Sequence, residues 1–206
     1  AHTSPLPIVT FAFDQGIERA IYGTQFPKHF EDLLIEIIPY KSEQVANPNN
    51  DITVYLLPEP IQLDSKIING CIDLWGYFLK LLVATAETPA IRTVVIDTGS
   101  MMRRVKMLAH LEMLQKNNPK ELRVNLLQIE YGPINDAAEQ IYALFAGVKK
   151  NLVVTHHLKD KYVVQFNSQT GMKESVQSGD LELEGWWETD KRTDVALRNE
   201  DAGVDI

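Results

Sequence analysis

With 206 residues, 45% of them hydrophobic, the chain is long enough to bury one sizeable core and short for two, so it reads as a single domain. Its net charge of −8, from 20 Lys and Arg against 28 Asp and Glu, excludes a surface built mainly to coat nucleic acid, although a local basic groove stays open. No apolar run is long enough to cross a bilayer, because the longest, Ile72 to Ala86, is short and broken by Asp73 and Lys80.

In chain order, the first residues lack a basic stretch followed by an apolar one, and the expected location is the cytoplasm. Ile8 to Phe13 is a run of apolar and β-branched residues, the pattern of a strand covered on both faces. It stops at Asp14-Gln15-Gly16. A short apolar patch and a polar Pro/Asn loop lead to a second strand over "DITVYLL", Asp51 to Leu57, closed by Pro58 and Pro60. From Asp64 or Ser65, either a good N-cap, apolar residues recur at helical spacing through Ile67, Ile68, Cys71, Leu74, Trp75, Phe78, Leu79 and Leu82. Cys71, the one cysteine, falls mid-helix and can form no internal disulfide, which fits a reducing compartment.

"IRTVVIDTGS" is a strand closing on Asp97 and Thr98, and Met101 to Lys116 is a helix ended by Asn117-Asn118-Pro119. "YGPINDAAEQIYALFAGVKK" gives another, with Pro133 in the first turn and Gly147 near the end. Asn151 to His157 is the next strand. Residues 162–206 change character: near-alternating segments punctuated by Gly171, Gly179 and Gly185 read as short antiparallel strands appended to the α/β part.

Strands alternating with helices give an α/β fold with a mostly parallel sheet. Ligands bind at the carboxyl ends of such strands. Three of them end in chemically capable groups: Asp14-Gln15, Asp97-Thr98 and Thr155-His156-His157. In parallel strands these share one edge. An acid ending a buried strand can hold a hard cation such as magnesium, or simply cap the following helix. The adjacent histidines point to opposite sides and cannot chelate one metal, so zinc is not expected. Thr155 or His156 can hydrogen-bond a phosphate or an attacking water, or sit in the core; Lys159 and Lys161 can supply charge, or be solvated. Basic residues cluster at Arg103-Arg104-Lys106, Lys149-Lys150 and Lys159-Lys161, each readable as a solvated face.

"TFAFDQG", "TVVIDT" and "LVVTHHLKD", in this order, resemble the RecA-like branch of P-loop ATPases, and more narrowly the phage-type nucleotide-binding proteins linked to single-strand annealing and recombination. The likeness covers roughly Pro5 to Lys161. It implies a three-layer sheet, ATP and Mg2+ as ligands, single-stranded DNA as a partner and a homo-oligomer. By the same likeness, Asp97 with Thr98 would organise magnesium, Asp14 or Gln15 would position the attacking water, and Thr155 and His156 would sense the γ-phosphate. Lys159 or Lys161 would act across a subunit boundary. Two departures stand out. No G-x-x-x-x-G-K-[ST] occurs in the 206 residues, so the resemblance predicts that the phosphate loop lies upstream of Ala1. Gln15 stands where family members often carry Glu, and an amide cannot act as a general base. The alternative is a non-catalytic binding or assembly module that keeps the fold.

Overall fold

Ile8–Ala12 forms β1, and every residue of it is buried, which explains why its two faces carry equally apolar side chains. The computed structural model describes residues 4–14, 16, 31–64, 66–120, 123–166, 172–184, 189–195 and 197. Within them β2 is Ile35–Ile38, β3 Ile52–Leu56, β4 Thr93–Asp97 and β5 Asn151–Val154. These five strands make one sheet in the order β2-β3-β1-β4-β5, every neighbouring pair parallel. The fold is α/β, as expected. The strand β2 falls in the short apolar patch before the Pro/Asn loop, a segment that the sequence alone does not assign to a strand. A separate two-stranded antiparallel sheet, β6 Leu158–Phe166 with β7 Lys173–Leu183, follows.

Three long helices are described: α1 Cys71–Glu87, α2 Gly99–Asn117 and α3 Gly132–Val148. The crossovers from β3 to β4 and from β4 to β5 move across the sheet in the same direction, and right-handed connections then place all three helices on one face. Alternation along β1 sends Val9, Phe11 and Phe13 to that face and Ile8 and Ala12 to the other, where Val54 and Val95 join them. Phe78 of α1 centres the larger cluster. Its ring lies 5.3 Å from that of Phe11 and 5.0 Å from that of Phe13, both edge to face, and 5.4 Å from that of Trp75.

Helix α1 starts at Cys71 rather than at Asp64. Gly70 before it has φ 82°, a left-handed conformation that glycine adopts at little cost and that interrupts a helix running in from upstream. Asp64 instead closes a turn, accepting from the Lys66 N–H at 2.8 Å. The first N–H groups of α1 are met from another helix. Glu112 of α2 accepts from Gly70 N at 3.1 Å and from Ile72 N at 2.8 Å, and Gln115 accepts from Ile68 N at 2.9 Å. Glu112 is buried and also meets the Lys116 ammonium at 2.8 Å. Burial raises its pKa, but hydrogen bonds from Lys116 and from the Ile72 and Gly70 amides outweigh that and hold the carboxyl below its ordinary value.

Cys71 therefore stands at the start of α1, fully buried, and burial together with the nearby Glu112 pushes its thiol up to about 11. Alkylation by iodoacetamide at pH 8 is expected to be at least about a hundredfold slower in the native chain than in urea, since about one thiol in a thousand would be ionised even if reached. Equal rates measured by mass spectrometry would show that the α1 terminus opens readily. Among the described residues, no helix is long and apolar enough to cross a membrane.

Candidate functional site

From β1 the chain runs first to β2 and β3 on one side, and then through β4 to β5 on the other, so the strand order reverses between β1 and β4. The carboxyl ends at such a reversal leave a crevice where α/β sheets bind ligands. Asp97 closes β4 at this point, in register with Ala12 of β1. Its carbonyl accepts from Phe13 N at 2.6 Å and Asp14 N at 3.2 Å. On its other side, Thr155 takes the Ile96 carbonyl through its N–H at 3.1 Å, and its own carbonyl accepts from Gly99 N at 2.8 Å. The Thr155 hydroxyl donates to Asp97 Oδ1 at 2.5 Å. These bonds lock the three strand exits together, so Asp14, Asp97, Thr98 and Thr155 share one edge, as parallel strands require.

Thr98 is buried and caps α2, its hydroxyl accepting from Met101 N at 3.1 Å. Two residues later Ser100 acts as a latch between α2 and the hairpin. Its hydroxyl donates to the Glu184 carbonyl at 2.7 Å and accepts from His157 N at 3.1 Å. His156 places Nδ1 3.1 Å from the same carbonyl, so the proton of its neutral ring sits on Nδ1. Its Nε2 is buried without a partner among the described residues. Desolvation holds the imidazole below its ordinary pKa, against a smaller opposite pull from the Glu184 carbonyl. Ser100 and Glu184 are site residues that the sequence did not announce.

The His156 ring lies against the backbone of Gly99. A Cβ at Gly99 would come within 2.6 Å of both His156 Cε1 and Val154 Cγ1, so only glycine lets α2 begin this close to the exit of β5. Gly99→Ala is expected to cost about 1–3 kcal/mol by overpacking and to displace the His156 ring. Urea denaturation, with the histidine Cε1 proton signals followed by NMR, checks both effects.

The two histidines do point to opposite sides, although strand β5 ends at Val154, before either of them. His157 faces outward, with Nε2 3.5 Å from Asp14 Oδ2 and Nδ1 3.6 Å from Glu184 Oε2. These are close approaches rather than hydrogen bonds. Lys159 sits at the base of β6 and pairs with Glu182 at 3.2 Å. Gln15 lies outside the described residues, as does the pair Trp186-Trp187.

Several members of the basic clusters are engaged within the chain. Arg104 makes two bonds to Glu59, at 2.7 and 3.2 Å. Arg103 lies 5.6 Å over the Tyr131 ring, and Lys106 5.2 Å over that of Trp75. Lys150 donates to the Thr88 and Ile91 carbonyls at 2.5 and 2.7 Å. Beside the latch, a cavity of about 250 Å³ is lined by Ser100, Arg103, Arg104, Lys159 and Glu184, among others.

The donor set at the edge suits one hard cation shared with a ligand, not a cation caged by protein alone. Among the described residues, no three His, Cys, Asp or Glu side chains group as a metal site. Magnesium held by one carboxylate, waters and phosphate oxygens needs no such group. Asp97 Oδ2 takes no hydrogen bond from the described residues and could supply such an oxygen. A comparison with models of known protein families, with curated proteins and with solved structures found no match.

Proposed function

We propose that this chain is a RecA-like nucleotide-binding domain that binds and hydrolyses ATP with magnesium in DNA recombination or replication, and that belongs with the phage-type proteins it resembles. The observation that carries the reading is the meeting of Asp14, Asp97 and Thr155 at the strand-order reversal, with Asp97 held by the Thr155 hydroxyl at 2.5 Å. When bound, magnesium would neutralise phosphate charge and orient the ligand beside Asp97. Asp97 would hold it through Oδ2, Thr98 would fix the start of α2, and Thr155 would keep the Asp97 carboxylate in one rotamer. Asp14, close to the neighbouring His157, would be the carboxylate that accepts a proton from water. His156 supports the edge from beneath rather than facing it, which makes it a positioning residue, while Thr155 is the group open to a phosphate.

The second reading, a binding or assembly module without turnover, is favoured by one specific observation. The 206 residues contain no glycine-rich loop bearing a lysine to hold phosphates. One experiment separates the two. The chain is titrated with a fluorescent ATP analogue with and without Mg2+, and phosphate release is followed in parallel. Magnesium-dependent binding supports the nucleotide site, and phosphate release supports hydrolysis. Binding without release favours the second reading, and no binding at millimolar analogue sinks the claim that these 206 residues hold a nucleotide by themselves.

A further inference from the structure

A two-stranded hairpin with nothing packed on it is marginal in water, yet β6 and β7 are long strands with large apolar side chains in the open. Alternation along β6 puts Leu158, Tyr162, Val164 and Phe166 on one face, and the last three are 59%, 69% and 69% exposed. Leu181, opposite Asp160 in the register, adds to the same face and is exposed as well. The reverse face carries the Lys159–Glu182 pair and, as its apolar part, the smaller cross-strand pair Val163 and Val176. Contiguous exposed apolar rows of this kind mark protein contacts.

We propose that this face is an interface between two copies of the chain, with the hairpins lying face to face and antiparallel about a two-fold axis midway between Tyr162 and Val164. The inference is independent of the nucleotide reading. Charge names the occupant. Asp160 stands at the base of the face and Lys173, opposite Phe166, at its tip. Antiparallel stacking sets Asp160 of each copy against Lys173 of the other, as a two-fold contact requires. A nucleic-acid platform would need an excess of positive charge beside its aromatic rings, and Asp160 with Lys173 supplies none. The face measures roughly 30 Å by 10 Å per copy from strand geometry, small for an interface, so the dimer is expected to be weak, with Kd in the range of about 1–100 μM.

Sedimentation velocity on the full chain from about 1 to 200 μM tests this. A concentration-dependent dimer is expected. Val164→Glu should abolish it while leaving far-ultraviolet circular dichroism and the urea midpoint unchanged. Asp160→Lys should weaken it about tenfold, and combining it with Lys173→Asp should restore it. A chain that stays monomeric throughout, or a dimer indifferent to Val164→Glu, overturns the proposal. So does a monomer that binds an oligonucleotide and loses that binding on Tyr162→Ala.

Discussion

Glu112→Ala is expected to lower the unfolding free energy by about 2–5 kcal/mol, because two amides at the start of α1 lose their acceptor at once in a covered position. The carboxylate is buried and bonds Gly70 N and Ile72 N through separate oxygens, so no single neighbour can replace it. Its Lys116 partner is largely exposed, and Lys116→Ala should change stability far less. Urea unfolding followed by circular dichroism checks the pair, with a change in midpoint at constant slope as the signature. A shift below about 0.5 kcal/mol for Glu112→Ala would mean that α1 is capped by solvent instead. The same group sets an acid limit. Its folded pKa lies below the ordinary 4.5, so the stability it contributes is complete above that value and is lost as pH falls through the lower, folded one. In Glu112→Gln that part of the acid dependence should disappear.

Asp97→Asn is the second large effect, and on the proposed nucleotide reading it falls on function. The amide oxygen still accepts the Thr155 hydroxyl, so the strand exits should stay locked and the urea midpoint should hold. What disappears is the negative charge. Magnesium-dependent nucleotide binding is expected to weaken by about tenfold or more, and any phosphate release by about a hundredfold, the usual scale for removing one preorganised electrostatic group. Unchanged binding and release in a folded Asp97→Asn chain would remove Asp97 from the site. Thr155→Val provides a graded comparison, since it frees the carboxylate without neutralising it.

Strands β1, β3 and β4 and helices α2 and α3 were legible because each carries its own pattern: β-branched runs in the strands, the stop at Asn117-Asn118-Pro119 for α2 and Pro133 in the first turn of α3. The convergence of Asp14, Asp97 and Thr155 followed from parallel strands alone. Helix α1 was extended too far upstream because Ile67 and Ile68 fall at helical spacing, while the acceptors that end its amide ladder, Glu112 and Gln115, lie over forty residues away in sequence. Strand β2 was missed for a similar reason. Four residues, stopped by Pro39 after Ile38, carry little periodicity, and pairing with β3 on one side is what makes them a strand. The glycine at 179 was read as a break between strands, whereas its φ of 84° lets one long β7 absorb an irregularity opposite Lys161. The Ser100 latch spans 84 residues and left no local trace.

The central place of β1 in the sheet bears on how the chain is made. Its partners begin at Ile52 and Thr93, so a strand finished by residue 12 has neither edge paired until much later segments are synthesised. At ordinary translation rates β1 waits roughly 4–17 s for β4. During that interval IVTFA is a short, uncharged, β-prone segment with two open edges, the kind that nucleates aggregation. The contacts that close the sheet are long in sequence, so folding is expected to be slow for the chain's size, and yield on expression should respond more to temperature and chaperones than to changes on the helical surface.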